Sequence, residues 1–321
     1  ENYFPKLEDF ATTIYEKVKK NNRTRYLSLC SYLYEKHKII VKDILPQENK
    51  PFSKIFFPEK KEFHLSDLLS LETKKLFTAA LVAQLEADEI TEEYLNDFSF
   101  PSETSRKVSK VALLNYTGAA IIMPYKIFFN ECVIKHRYDL ELLQSTFAVS
   151  FEQVCHRVTC LNNPDPKLRG IPLHMIRVDR SGNVSKRFSL SGIELPRLSG
   201  ACPKWNVYSA FSNPGKISAA VSKMTDGEKY VCIARTVEKG VSKYGEEKGL
   251  LSIGLGCQIK YAKDFVYADR LNLNDEKSES KIGVSCRKCD RLDCSQRAFP
   301  PDTESYDVNI NQRGVSIFVN V

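Results

Sequence analysis

Apolar residues recur at close to 3.6-residue spacing from Tyr3 to Val41, through Phe10, Ile14, Val18, Tyr26, Leu29, Leu33 and Tyr34. Polar residues fill the intervening positions, so this stretch is predicted to be helical. Pro46 to Lys61, rich in Lys and Pro, reads as a loop. Helical spacing resumes from Leu65 to Asp88 and from Ser102 to Phe129. The second of these carries a stop signal at Met123-Pro124, because a proline drives the residue before it out of the helical region. Tyr138 to Leu161 reads as helix, turn, helix around Phe147-Ala-Val-Ser150, with Ser150 as N-cap and Gln153 completing a capping box. After Asn162-Asn-Pro-Asp-Pro166 the pattern changes to short apolar runs separated by turns. Strands are expected at Leu173 to Val178, Val184 to Leu190, Tyr230 to Thr236, Leu250 to Tyr261 and Val315 to Val321, with a turn at Asp179 to Asn183. The expected fold class is therefore α+β: a helical N-terminal half followed by an α+β C-terminal half.

Composition narrows the options only a little. With 42% hydrophobic and 27% charged residues, the chain is neither disordered nor a membrane protein by composition. Its longest apolar stretch, Val111 to Met123, is interrupted by Asn115, Tyr116 and Thr117 and is too short to span a bilayer. A net charge of +7 permits an anionic partner without requiring one. The chain opens on Glu1-Asn2-Tyr3, and the expectation is a piece of a longer protein. No secretory signal opens it, so a cytoplasmic location is expected, where clustered cysteines serve metals or redox chemistry more often than disulfides.

That matters because Cys286, Cys289 and Cys294 stand at C-x2-C-x4-C spacing within one polar loop. Cys202, in Gly200-Ala-Cys-Pro-Lys-Trp205, is the candidate fourth ligand. Four thiolates suit tetrahedral zinc and a [4Fe-4S] cluster equally, and spacing does not separate the two. The plainer reading, unrelated thiols acting as small hydrophobes, sits poorly with Arg, Lys and Asp neighbours.

Other candidate chemistry is thinner. The helix pair at 138–161 could be a DNA-reading helix-turn-helix with Glu152, Gln153, His156 and Arg157 as readers. It lacks the basic cluster that phosphate contacts require, and structural packing is the preferred reading. The five histidines are dispersed, and no H-E-x-x-H, G-x-S-x-G, Walker A or G-x-G-x-x-G motif is present, so no catalytic set is expected. Gly254-Leu-Gly256 reads as a place of close backbone approach or a bulge. Basic residues at Arg177, Arg180, Lys186, Arg187, Arg197, Lys204 and Arg235, beside Phe188 and Trp205, would suit a ligand carrying phosphates and an adenine ring. A solvated basic face explains them as well. Arg177, Lys186, Arg187, Trp205 and Arg235 are the ligand-binding candidates.

Taken together, Asn115 to Tyr125, Arg137-Tyr-Asp-Leu140, Val149 to Arg157, Arg177 to Arg187, Gly200 to Trp205 and the Cys286 to Pro301 run resemble the short-chain fatty acyl transcriptional regulators. The resemblance covers roughly residues 65 to 301. It implies a regulator of propionate or glyoxylate-cycle metabolism, not an enzyme, with three parts. An N-terminal Xre-type helix-turn-helix contacting DNA would lie outside this chain, linked to it by a helical segment at 1–64. A degenerate ImmA/IrrE peptidase-like domain would occupy 65–161. A sensor domain, for which a GAF-like fold is one option, would occupy 162–321. In peptidase relatives a helix carries H-E-x-x-H; here Leu81, Val82 and Leu85 fall in its place and Asn115 near the third ligand, so catalysis is not expected. The resemblance further implies binding of a short-chain acyl-CoA or CoA, a homodimer, and a [4Fe-4S] cluster on Cys202, Cys286, Cys289 and Cys294, with zinc as the alternative. Lys204 stands where the family has an apolar residue beside the site, which puts its redox tuning or loop packing in doubt.

Overall fold

The computed structural model describes residues 2–19, 25–47, 51–196, 200–240, 245, 247–291, 293–302, 310–311 and 314. These form two compact units: 1–135 with 140–169 and 240–248, and 136–139 with 170–239 and 249–321.

The first unit is mostly helical. Helix α1, Pro5–Lys19, buries Leu7, Ala11, Ile14, Tyr15 and Val18, an i, i+4, i+7, i+8, i+11 stripe. Helix α2, Arg25–His37, ends where Lys38 takes a left-handed φ of 58°, so Ile40 and Val41 leave the expected helix and open strand β1, Ile40–Ile44. The segment read as a loop contains β2, Lys54–Phe57, and is followed directly by β3, Glu62–Ser66. The sheet runs β1-β3-β2, with β1 parallel and β2 antiparallel to β3. Residues 1–64 are thus not purely helical. Four-residue β2 is too short to display a period of two, and its pairing partner lies outside the local window. Because β3 claims the chain through Ser66, helix α3 begins later than expected, at Leu71, capped by Ser70, and runs to Glu86.

Helix α4, Asp88–Asn96, precedes α5, Glu103–Ile122, which stops at Met123-Pro124 as the sequence predicts; α6, Tyr125–Phe129, follows. A β-carbon on Gly118 of α5 would lie 2.8 Å from the Ala80 nitrogen of α3, so the two helices approach backbone to backbone at that crossing. Helices α7, Leu140–Phe147, and α8, Phe151–Val158, complete the unit, and the Ser150/Gln153 capping box is present. Its centre is ionic: Arg157 of α8, 1% exposed, grips Glu8 of α1 through two bonds of 2.6 and 2.8 Å and donates Nε to the Met123 carbonyl. Tyr116 of α5 donates its hydroxyl to the same carboxylate.

The second unit is built on a six-stranded sheet ordered β5-β4-β8-β7-β6-β9. Its strands are β4 Leu173–Asp179, β5 Val184–Ser189, β6 Ser218–Lys223, β7 Lys229–Lys239, β8 Gly249–Gln258 and β9 Ser280–Lys281. All pairs are antiparallel except β6 with β9. Strands β4, β5, β7 and β8 fall where alternation and turns place them. The turn at 179–183 is held by Asp179, whose carboxylate accepts from the Ser181 and Asn183 amides. Strand β6, Ser-Ala-Ala-Val-Ser-Lys, has too little apolar contrast to announce itself. The expected strand at 315–321 lies outside the described residues.

One face of this sheet forms a core from Ile176, Val178, Tyr230, Cys232 and Ala234, covered by Ile193, Leu195, Cys202, Trp205, Val207, Ala210, Met224 and Ile282. Short helix α9, Asn206–Ser209, supplies Val207. Gly254 admits it: a β-carbon there would sit 2.5 Å from Val207 Cγ1. A β-carbon on Gly256 would meet the His174 ring at 2.7 Å, so the Gly254-Leu-Gly256 pair is a place of close approach.

Candidate functional site

The loop containing Cys202 is stitched to the segment that leads into Cys286. Ala201 and Ser285 form an antiparallel bridge, the Cys202 amide donates to the Val284 carbonyl at 3.1 Å, and Trp205 Nε1 donates to the Gly283 carbonyl at 2.7 Å. This register brings Cys202 beside Cys286 and Cys289, and all three thiols are buried. Gly283 makes the room: a β-carbon on it would lie 3.0 Å from Cys289 Sγ. Cys294 is on the same loop and half-buried, and its carbonyl accepts from the Arg297 amide at 3.2 Å.

Burial pushes the Cys202 thiol up, and the proximity of Cys286 and Cys289 adds to that rise, while the Gly283 and Lys204 amides oppose it. Neighbouring buried thiols cannot all ionise without a compensating positive charge, which is the condition under which metal binding displaces their protons. Among the described residues, no three His, Cys, Asp or Glu side chains stand close enough together to hold a metal ion. The donor chemistry, three neighbouring buried thiols with a fourth cysteine on the same loop, fits a thiolate-bound cofactor.

The loop has an organiser that spacing does not reveal. Arg297 Nη1 donates to the carbonyls of Cys286 and Phe299, and Nη2 to those of Cys289 and Arg291, at 2.6 to 3.1 Å. Arg291 in turn donates to the carbonyls of Lys223 and Met224 at the end of β6, fastening the loop to the sheet.

The five ligand-binding candidates do not converge. Register pairs Lys186 with Arg177, Arg177 with Ile253, and Ile253 with Arg235, so Lys186, Arg177 and Arg235 form one row on a single face across β5, β4, β8 and β7. Arg187 pairs with Ile176 and belongs to the opposite face, where its Nη1 donates to the Pro196 carbonyl. Trp205 is 5% exposed in the core beneath the cysteines, and its ring nitrogen is spent on Gly283. One site cannot use all five, because adjacent strand residues point to opposite faces.

In the first unit, Leu81 and Val82 of α3 are 2% and 0% exposed, Leu85 is partly buried, and the Asn115 Oδ1 is buried with no hydrogen-bond partner among the described residues. The three apolar side chains are packing groups and offer neither a metal ligand nor a general base. Two of the four candidate DNA readers on α8 are committed elsewhere: Arg157 to Glu8, and Gln153 to its cap and the Glu72 carbonyl.

Residues 153–318 match the family described as "Short-chain fatty acyl coenzyme A regulator, C-terminal". The chain belongs to this family. Residues 38–159 match the IrrE N-terminal-like domain, so the short-chain fatty acyl coenzyme A regulator fold here carries a peptidase-like unit ahead of its sheet. Among relatives, the HTH-type transcriptional regulator RamB of Mycobacterium tuberculosis is 37% identical over 82% of this chain and 55% of its own length. The propionyl-CoA carboxylase regulator of Cereibacter sphaeroides is 35% identical over 80% and 55%. The HTH-type transcriptional regulator PrpR of Mycobacterium tuberculosis is 34% identical over 82% and 53%. The chain spans about half the length of these relatives. A solved "Mycobacterium tuberculosis transcriptional regulator" superposes with a TM-score of 0.90 at 29% identity, over 99% of this chain and 96% of that one. The family is one of regulators, not of enzymes.

Proposed function

We propose that this chain is the effector-sensing part of a transcriptional regulator of short-chain acyl metabolism. Cys202, Cys286, Cys289 and Cys294 hold a [4Fe-4S] cluster, the sheet-rich unit binds a short acyl-CoA, and DNA contact belongs to a helix-turn-helix domain elsewhere in the whole protein. The observation that carries the cofactor reading is the stitching of the Cys202 loop onto 283–285, which gathers buried thiols from distant parts of the chain. A cluster is favoured over zinc. The four-thiolate set suits tetrahedral zinc as well, and the preference for the cluster rests on the family resemblance alone. The acyl-CoA reading takes its support from the family and from the row Lys186, Arg177 and Arg235, whose charge suits phosphates. Ligand binding shifts a regulator only by favouring one of its arrangements over another.

Anaerobic purification followed by metal and sulfide analysis tests the cofactor. Iron with acid-labile sulfide and broad visible absorption is expected, and Cys289→Ser should remove it. Full iron in that variant, or stoichiometric zinc in the wild type, overturns the cluster. Calorimetry with CoA, acetyl-CoA and propionyl-CoA tests the effector. A charge-assisted contact is worth about 1.5 to 3 kcal/mol, so Arg177→Ala should weaken binding roughly ten- to a hundred-fold. No heat with any of the three ligands would leave the cluster's own redox state as the signal.

A further inference from the structure

Arg297 is 6% exposed, three residues beyond Cys294. A guanidinium so deeply buried ordinarily faces a carboxylate, because an isolated buried charge is costly. Among the described residues, no carboxylate pairs with Arg297. The four hydrogen bonds its terminal nitrogens make there all go to main-chain carbonyls, and its Nε is buried with no hydrogen-bond partner among those residues. The loop's acids look outward: Asp293 stands 3.9 Å from Lys281, Asp302 stands 3.6 Å from Arg287, and Asp290 is exposed. Carbonyl dipoles satisfy donors but bring no net negative charge. Two of the carbonyls belong to Cys286 and Cys289, and the next residue, Ala298, donates its amide to Cys286 Sγ at 3.4 Å. The anion that such a cation lacks is the one these thiolates would provide.

We propose that Arg297 is a positioning residue for the four-cysteine site and its buried counter-charge: it clamps Cys286 and Cys289 by their own carbonyls while offsetting the negative charge of a thiolate-bound cluster. The inference rests on the cofactor reading above. It has two separable consequences. Losing the fork frees the 286–299 turn, so the cofactor is held less well. Losing the positive charge disfavours the more negative, reduced state, so the reduction potential falls. Lysine keeps the charge but, as a compact ammonium with three donors, cannot span four carbonyls.

The test compares the wild-type chain with Arg297→Met and Arg297→Lys, purified and reconstituted anaerobically. The readouts are iron and sulfide per chain, the rate of iron loss to a chelator, and a redox titration followed by visible absorption. Trp205, the only tryptophan, reports whether the sheet unit is folded. Both variants should lose iron faster, by about 10- to 100-fold, the usual cost of removing a partner that supports metal ligands. The residual cluster in the Met variant should titrate at a more negative potential, and the Lys variant should return toward the wild-type value. A purely structural role would leave the potential unmoved. Should the Met variant not fold, the Lys variant decides the clamp: wild-type iron retention by it overturns the proposal. Wild-type retention and potential in the Met variant overturn the Arg297 proposal while leaving the cluster intact. Absence of iron from the wild type overturns the cofactor reading and this inference with it.

Discussion

His174 makes the sheet unit sensitive to acid in a way that can be isolated. The imidazole, 2% exposed on β4, places Nδ1 2.9 Å from Ser191 Oγ and Nε2 3.6 Å from Cys232 Sγ, with Tyr230 edge-on. Burial alone pushes its pKa down from 6.5 to about 3. The folded protein therefore keeps His174 neutral where the unfolded chain takes up a proton. Stability from this group is complete above pH 6.5 and is lost progressively as pH falls from 6.5 to about 3. At 1.36 kcal/mol per unit the full loss is about 4 to 5 kcal/mol, of which about 2 kcal/mol is gone by pH 5. Urea unfolding at pH 7.5 and pH 5.0, followed by Trp205 fluorescence, compares wild type with His174→Asn. The variant leaves a smaller side chain beside Gly256 and starts less stable, so the decisive quantity is the change between the two pH values. Carboxylates common to both proteins cancel in that difference. Wild type should lose about 2 kcal/mol more than the variant; equal losses would show that His174 is not held neutral, and the reasoning from its burial would be wrong.

Lys75, 4% exposed on α3, donates to the carbonyls of Phe147 and Ala148, and burial draws its pKa down to about 8. Since the unfolded chain keeps this proton up to about pH 10.5, its contribution to stability rises between pH 8 and 10.5, and Lys75→Met should remove that rise in denaturant melts. Arg157→Met strands Glu8 in the core and should cost about 3 to 5 kcal/mol, whereas Glu8→Leu combined with Arg157→Met should recover most of it, a double-mutant comparison read by thermal unfolding.

Signals carried within a few residues were legible. The Ser150/Gln153 capping box, the Met123-Pro124 stop and the Asp179 turn each depend on a side chain and its immediate backbone, and each stands where the sequence puts it. Strands β1 to β3 were not legible. The parallel β1–β3 pair joins residues 22 positions apart, Ile40 with Glu62, and neither strand alternates clearly enough to show without its partner. The same division holds at the site. Three cysteines share a spacing that anyone can read, but Arg297 acts through carbonyls, and no side-chain pattern records which carbonyls a chain will turn inward.

The ligand candidates failed to converge for a related reason. Arg187 and Lys186 are neighbours in sequence and strangers in space, because one step along a strand changes the face. Register, including the irregularity between Arg177 and Val178, separates the basic row from the core that holds Cys202 and Trp205. The two halves of the proposed function are therefore divided by a single sheet: β7 directs Cys232 and Ala234 toward the cysteine side and Arg235 toward the basic row. Any influence of an acyl-CoA on the cluster, or of the cluster on the acyl-CoA, would have to pass through that strand and its neighbours. A packed sheet whose glycines at 254 and 256 leave no space for a β-carbon has little room to yield gradually. A signal crossing it would move strands as units, because tightly packed interiors switch between discrete arrangements and do not deform smoothly.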